Sequence, residues 1–371
     1  MFYECESLRS ANLKFDTYNV TLMNHLFYNC REITNLNLYN FNFEKVENAS
    51  YMFYSCNNLR EIIFNNYTIT NNLKEMNYMF SGCEKLEYIN TKIFKVDKLT
   101  NLIGVFQSCY SLKEIDLSHF NTENIKELVS LFDNCRSLEK IDISNFETSK
   151  IESINYLFSN CFNLKNLNFS LVNSRNLVEA DYLFSGCESL TSLDLSSSNF
   201  STVESATYMF SFCKSLEYLA LPNQMPSLTD FWCIFYNCHK LTSINLSFLE
   251  NIPKIESFSY MFMNCQNLIE IEFPNVHIDY LNSANEMFSG CTKIKRIDLG
   301  KLQVNNFYEM YGMFMNCKNL KFLNITNLDM RNVRRYKSIF DGVPKNMTII
   351  YDPKKTREEI EKILINQTIE K

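Results

Sequence analysis

Residues 109–135, CYSLKEIDLSHFNTENIKELVSLFDNC, are the clearest copy of a unit that recurs along almost the whole chain. A Phe stands three residues before each boundary Cys, from Phe2, Phe27 and Phe53 to Phe314, and Leu or Ile stands three after it, as in Leu8, Ile33, Leu59, Leu138 and Leu320. The repeat cysteines are Cys5, Cys30, Cys56, Cys83, Cys109, Cys135, Cys161, Cys187, Cys213, Cys238, Cys265, Cys291 and Cys317, spaced 25, 26 or 27 residues apart. Val343, again with a Phe three before it, takes the place of a fourteenth. A period of this length marks an architecture in which each unit buries its apolar side against its neighbours.

Two shorter periods alternate inside each unit. After the cysteine, Leu138, Ile141 and Ile143 give L-x-x-I-x-I, whose last two apolar residues share one face of a short strand. Further on, Ile151, Ile154, Leu157, Phe158 and Cys161 recur at steps of three and four, the stripe of a helix. The expectation is therefore one strand and one short helix per repeat. The residue before the cysteine is Gly, Asn or Ser in twelve copies, which suits a left-handed helix exit. Glu4 and Phe212 depart from this rule, and at Phe212 a different exit is expected.

The pattern M-F-x-x-C-x-x-L-x-x-I-D-L-S-x-F-x-T, spread over residues 1 to about 352, resembles the BspA-like leucine-rich repeat family of bacterial and protozoan surface proteins. The resemblance implies an α/β leucine-rich-repeat solenoid of about 14 repeats of 26 residues. In it a right-handed coil carries a parallel sheet on the concave side and short helices on the convex side. It also implies an adhesin-like or host-interaction role at the cell surface or after secretion, with matrix or host-cell proteins as partners.

The register is unbroken, so residues 1–352 read as one solenoid whose first repeat is truncated, and residues 353–371 as a C-terminal capping helix. In that tail Thr356 and Glu359 have capping-box spacing, and Ile360, Ile363 and Leu364 form one stripe. A net charge of −6 speaks against a nucleic-acid footprint, and no apolar run is long enough for membrane insertion. The start, with no signal-peptide pattern, makes a cytoplasmic location the alternative.

Candidate contact residues follow from strand alternation. Seven after the cysteine lie Asp116, Asp142, Asp194 and Asp298 among Asn37, Asn90, Asn168, Asn245 and Asn324, a polar row on the open side of the sheet. Two residues earlier Tyr88, Tyr218 and Phe322 interrupt a charged row, and aromatics on a polar surface are frequent interface anchors. Five before the cysteine a row of Tyr51, Tyr78, Tyr156, Tyr182, Tyr208 and Tyr260 is expected to pack between helices. Regularity breaks between Leu219 and Pro253, where Pro222, Pro226, Pro253, Trp232 and the off-register Cys233 gather. Loops there are expected to detour outward and Trp232 to be partly exposed.

The fourteen cysteines read as buried, reduced thiols rather than disulfides, because the repeat set points one way on the apolar stripe. No C-x-x-C occurs, and His25, His119, His239 and His277 follow no ligand spacing, so no metal or other cofactor is expected. Carboxylates recur by period without converging, and no nucleophile motif or phosphate loop is present. The reading is a non-enzyme that recognises another protein, either at a surface or, alternatively, as an intracellular scaffold or a structural rod of a longer array.

Overall fold

In the computed structural model the described residues are all but 12, 66–68, 170, 172, 253 and 368–371; Pro253 therefore lies outside them. The chain forms two compact units, Met1–Glu179 with Leu183–Ser189, and Ala180–Tyr182 with Leu190–Lys371.

Both units are stacks of coils joined by parallel pairing one repeat apart. In the first unit β1 (Asn35–Leu38) pairs with β2 (Glu61–Phe64), and β3 (Lys140–Asp142) with β4 (Asn166–Asn168). In the second, β5 (Ser192–Asp194) pairs with β6 (Tyr218–Ala220). The coil after β6 has no strand among its described residues, and the two beyond it each carry three: β7 (Glu270–Glu272), β8 (Val276–Ile278) and β9 (Leu281–Ser283), then β10 (Arg296–Asp298), β11 (Leu302–Val304) and β12 (Phe307–Glu309). With β13 (Phe322–Asn324) and β14 (Thr348–Ile350) they complete a four-stranded sheet of order β14-β13-β10-β7 and two-stranded β11-β8 and β12-β9 sheets. The leucine-rich-repeat solenoid class holds.

The short helices do not. Among the described residues the only α-helix is α1 (Glu358–Gln367); in each repeat the segment before the cysteine is a run of overlapping turns. Between Ser130 and Cys135 the amides alternate in direction. Those of Leu131, Asp133 and Cys135 donate three residues back, to the carbonyls of Leu128, Ser130 and Phe132 at 3.3, 3.2 and 3.0 Å. Those of Ser130, Phe132 and Asn134 donate into the next coil, to Asn155, Leu157 and Ser159 at 2.8, 3.0 and 2.7 Å. An α-helix would direct every amide to its own fourth preceding carbonyl; here half of them join coils. The stripe at steps of three and four is nevertheless buried, since Ile151, Ile154, Leu157, Phe158 and Cys161 have no exposed surface.

This arrangement requires left-handed backbone twice per coil. Ser130 and Asn134 have φ of 55° and 62°, and both rows recur down the units. The row before the cysteine is the Gly, Asn and Ser row of the sequence, but Phe212 takes the same exit, with φ of 59°. Its amide donates to the carbonyl of Tyr236 at 2.7 Å, so the inter-coil bond overrides the residue's own preference.

The interior is built of columns. The phenylalanines stack at 5.2–5.8 Å from Phe2 through Phe27, Phe53, Phe80, Phe106, Phe132 and Phe158 to Phe184 in the first unit. A second column runs from Phe210 through Phe235, Phe262, Phe288 and Phe314 to Phe340 at 5.4–6.0 Å. Near the carboxyl end Ile360 and Leu364 of α1 are buried and the Gln367 carbonyl accepts the Asn346 amide at 3.0 Å. The Thr356 hydroxyl donates to the Asp352 carbonyl at 2.8 Å.

Far-ultraviolet circular dichroism of the folded chain should give a strand-and-turn spectrum, and a dominant helical double minimum would contradict the turn ladder. Replacing Phe132 by Ala should cost about 3–5 kcal/mol in urea unfolding, as expected for a fully buried ring with no room to collapse.

Candidate interaction surface

The strand side exposes two rows of different character. In the row seven after the cysteine, Asp116, Asp142, Asp194 and Asp298 each form a side-chain turn, and the last three do so at the end of a strand. Asp116 accepts the amide and hydroxyl of Ser118 at 3.0 and 2.7 Å, and Asp142 accepts those of Ser144 at 3.0 and 2.7 Å. Asp194 accepts the Ser196 amide at 2.9 Å and Asp298 the Gly300 amide at 3.0 Å. Asn37, Asn90, Asn245 and Asn324 make the same bond two residues on. These serine bonds hold the carboxyl groups of Asp116, Asp142 and Asp194 below the usual carboxylate range. The row thus carries side-chain turns first; Asp116, Asp142 and Asp194 are exposed, and the second oxygen of Asp142 accepts the Asn168 side-chain amide at 3.1 Å.

The row two residues earlier is less committed. Tyr88 and Tyr218 are 68% and 58% exposed, large fractions for aromatic side chains. Phe322 is half-buried because the Arg296 guanidinium lies 3.9 Å from its ring centre while also pairing with Asp298 at 2.6 Å. Asp298 and Phe322 are therefore brought together, through a residue that the sequence reading did not single out.

Tyr218 stands over a groove of about 350 Å³ lined by Glu217, Leu221, Pro222, Asn223, Ser243 and Asn245 among others. The groove exists because the ladder stops there: β6 pairs only with β5, and residues 243–245 form no strand. Pro222 has no amide to donate. The expected outward detour is corrected, since Pro222 and Met225 are buried and Pro226 half-buried, so this segment folds inward and leaves a gap in the strand face.

Trp232 belongs to a different row, on the turn side. It is 44% exposed and stacks on Tyr260 at 6.0 Å. The tyrosine row there is left-handed, with φ of 56–60° at Tyr51, Tyr78, Tyr156, Tyr182, Tyr208 and Tyr260. Its rings stack from coil to coil, His25 on Tyr51 at 4.9 Å, Tyr51 on Tyr78 at 5.1 Å, and Tyr182 on Tyr208 at 4.6 Å. Packing between coils is realised, although between turns. Nearby, burial and the neighbouring Glu256 and Asp181 push the Asp230 carboxyl up, against the amide of Trp232 that it accepts at 2.9 Å.

All fourteen thiols are free, and all but the half-exposed Cys5 are buried. Thiols of the repeat row have a further use besides filling space: Cys109, Cys135 and Cys161, for example, donate to the carbonyls of Phe80, Phe106 and Phe132 in the preceding coil at 3.3, 3.1 and 3.2 Å. Burial pushes Cys30 up to about 11 and Cys109 up to about 12. A thiol whose folded pKa is raised adds stability below its unfolded pKa of about 8.5 and loses it as pH climbs toward the folded value. The urea midpoint should therefore fall progressively from about pH 8.5 upward. A thiol reagent at neutral pH should modify Cys5 first and the rest only on unfolding; rapid modification of several cysteines in the native state would contradict their burial.

The family described as Mycoplasma protein of unknown function, DUF285, matches residues 1–92, 66–165 and 131–248. The BspA type leucine-rich repeat region matches residues 206–343 in six copies. A leucine-rich repeat protein from Bacteroides ovatus is similar at 20% identity over 88% of this chain and 85% of that chain, with a TM-score of 0.47. A leucine-rich cell surface protein from Faecalibacterium prausnitzii is similar at 17% identity over 74% of this chain and 81% of that one, with a TM-score of 0.39. No curated protein matches the sequence.

Proposed function

We propose that this chain, which belongs to the DUF285 family and to the leucine-rich repeat proteins of BspA type, works by recognising another protein through its strand side, as a surface adhesin or cell-interaction protein. The observation that carries the reading is the groove beside Tyr218. An aromatic ring, 58% exposed, stands over a recess with apolar walls from Leu221 and Pro222 and polar groups from Glu217, Asn223 and Asn245. An exposed ring beside an apolar recess with a polar rim is the anatomy of an interface anchor. Within the same unit the exposed Asp194 would add a secondary contact, and Trp232 would serve a partner reaching the turn side; on the first unit the exposed Tyr88, Asp116 and Asp142 are candidate contacts of their own.

The recognition proposed is non-covalent. Among the described residues no group of three or more His, Cys, Asp or Glu is placed to hold a metal ion, and no helix is long and apolar enough to cross a membrane. The reduced thiols do not favour the scaffold reading, because burial suppresses the thiolate that oxidation needs, whatever the compartment.

Two measurements test the proposal. An antibody to the folded chain should label intact cells without permeabilisation; labelling only afterwards would overturn the surface role and favour the scaffold. Replacing Tyr218 by Ala should weaken capture of the surface partner by about 2 kcal/mol, near thirtyfold, without changing thermal stability. Unchanged capture would remove the groove from the interface.

A further inference from the structure

The charge of the chain is divided unevenly along its length. Residues 291–371 hold sixteen Lys and Arg against nine Asp and Glu, whereas residues 1–290 hold twenty against thirty-three. The excess shows at the strand side of the last three coils. Lys293, Lys295 and Arg296 lie just before or within β10, Lys318 and Lys321 just before β13, and Lys345 just before β14, and all six are exposed.

Elsewhere the same rows neutralise themselves. Glu114 pairs with Lys140 at 2.8 Å, Glu139 with Lys165 at 3.9 Å, and Glu217 with Lys240 at 3.0 Å, each across adjacent coils. Here Lys295 and Lys321 are direct neighbours instead, with the Lys321 amide on the Lys295 carbonyl at 2.9 Å. Among the described residues no carboxylate pairs with Lys293, Lys295, Lys318, Lys321 or Lys345, and Asp298 is already engaged by Arg296. Lys295 and Lys321 stand on adjacent coils one residue before β10 and β13, and the carboxylate in register beside them is Glu270, opposite Arg296, so the row of unpaired cations is left for an anion from outside the chain to meet.

Two exposed aliphatic side chains flank the basic rows. Ile269 is 46% exposed, and its carbonyl accepts the Lys295 amide at 2.8 Å; Ile350, 43% exposed, pairs with Asn324 on the far strand. Phe322 is covered by the Arg296 guanidinium, which leaves no open ring on which a nucleic-acid base could stack. Sugars and phosphates would have no use for the two isoleucines. Cations flanked by aliphatic anchors complement a polypeptide that carries carboxylates and apolar side chains together.

We infer that the strand side of the last three coils, with the adjoining Ile269 of the coil before them, is a docking surface for an acidic, partly aliphatic segment of a partner protein, held by Lys295, Lys321 and their basic neighbours and seated on Ile269 and Ile350. The inference rests on the protein-recognition reading above and names the chemistry of its partner, at a place separate from the Tyr218 groove.

The test uses the full chain and a fluorescent peptide of mixed Glu and Leu, read by anisotropy at low and high salt. Controls are the same peptide with Gln for Glu, an all-Glu peptide, a sulfated polysaccharide and a single-stranded oligonucleotide. The mixed peptide should bind best and weaken steeply with salt. The double variant Lys295→Glu with Lys321→Glu should lose about tenfold or more in affinity, and Ile269→Ser several-fold, with unfolding midpoints unchanged because all three side chains are exposed. Equal or tighter binding of the polysaccharide or oligonucleotide, or no effect of charge reversal, would overturn the inference. Capture of the surface partner that depends on Tyr218 but not on these lysines would defeat this docking surface alone, whereas loss of neither would defeat the recognition reading itself.

Discussion

Every second amide in the turn segment leaves its own coil, and the rest of the structure depends on that choice. A coil of about 26 residues cannot bury an apolar side alone, so it must be joined to its neighbours along more than one edge. The strands supply one edge with three or four residues each, and the turn amides supply another. A parallel set of single bridges, from Asn101 through Glu127 and Ser153 to Glu179 in the first unit, adds a third. With the edges fixed one repeat apart, equivalent residues must stack, and the Phe and Cys columns follow.

The cost of the ladder is backbone strain. A left-handed non-glycine residue costs roughly 1–2 kcal/mol, and this chain places tyrosine there six times. Ring stacking returns about 0.5–1.5 kcal/mol per pair, which is not enough by itself. The remainder comes from the amide: in a buried turn, an unpaired backbone donor would cost about 1–3 kcal/mol, and the left-handed residue is what aims that donor at the next coil. Gly104 and Gly312 adopt the same φ at the same row without a side chain, and the Tyr78 ring fills the space that a side chain at Gly104 would need.

Fold class and repeat register were legible because the periodic Phe, Cys and Leu are the core itself. The turns were not, because steps of three and four arise both from a helix and from turns that overlap by two residues. The discriminating signal was present in Gly104 and Gly312, which stand where other copies have tyrosine and which a helix interior would disfavour. Phe212 misled for a related reason, since local preference was read where an inter-coil bond decides. On the strand side, alternation placed Asp116, Asp142 and Asp194 at the exposed face, whereas Asp298 is half-buried, and all four are committed first to side-chain turns with the serine or glycine two residues on. The Tyr218 groove was illegible as a groove: the prolines announced a break, while its inward direction depends on how Pro222 and Met225 fill the core.

The contacts proposed for recognition and the residues that set stability thus lie in separate rows. Residues that set the stack point inward or bond between coils, and positions such as Tyr88, Tyr218 and Lys295 can vary without touching them. That separation rests on the turn ladder, which nuclear magnetic resonance of protein labelled with ¹⁵N at tyrosine tests directly. The amides of Tyr51, Tyr78, Tyr156, Tyr182, Tyr208 and Tyr260 should each show the strong contact to their own α-proton that a positive φ produces. Weak intraresidue contacts, with strong amide-to-amide contacts to the following residue, would mean that these segments are helices and would contradict the account.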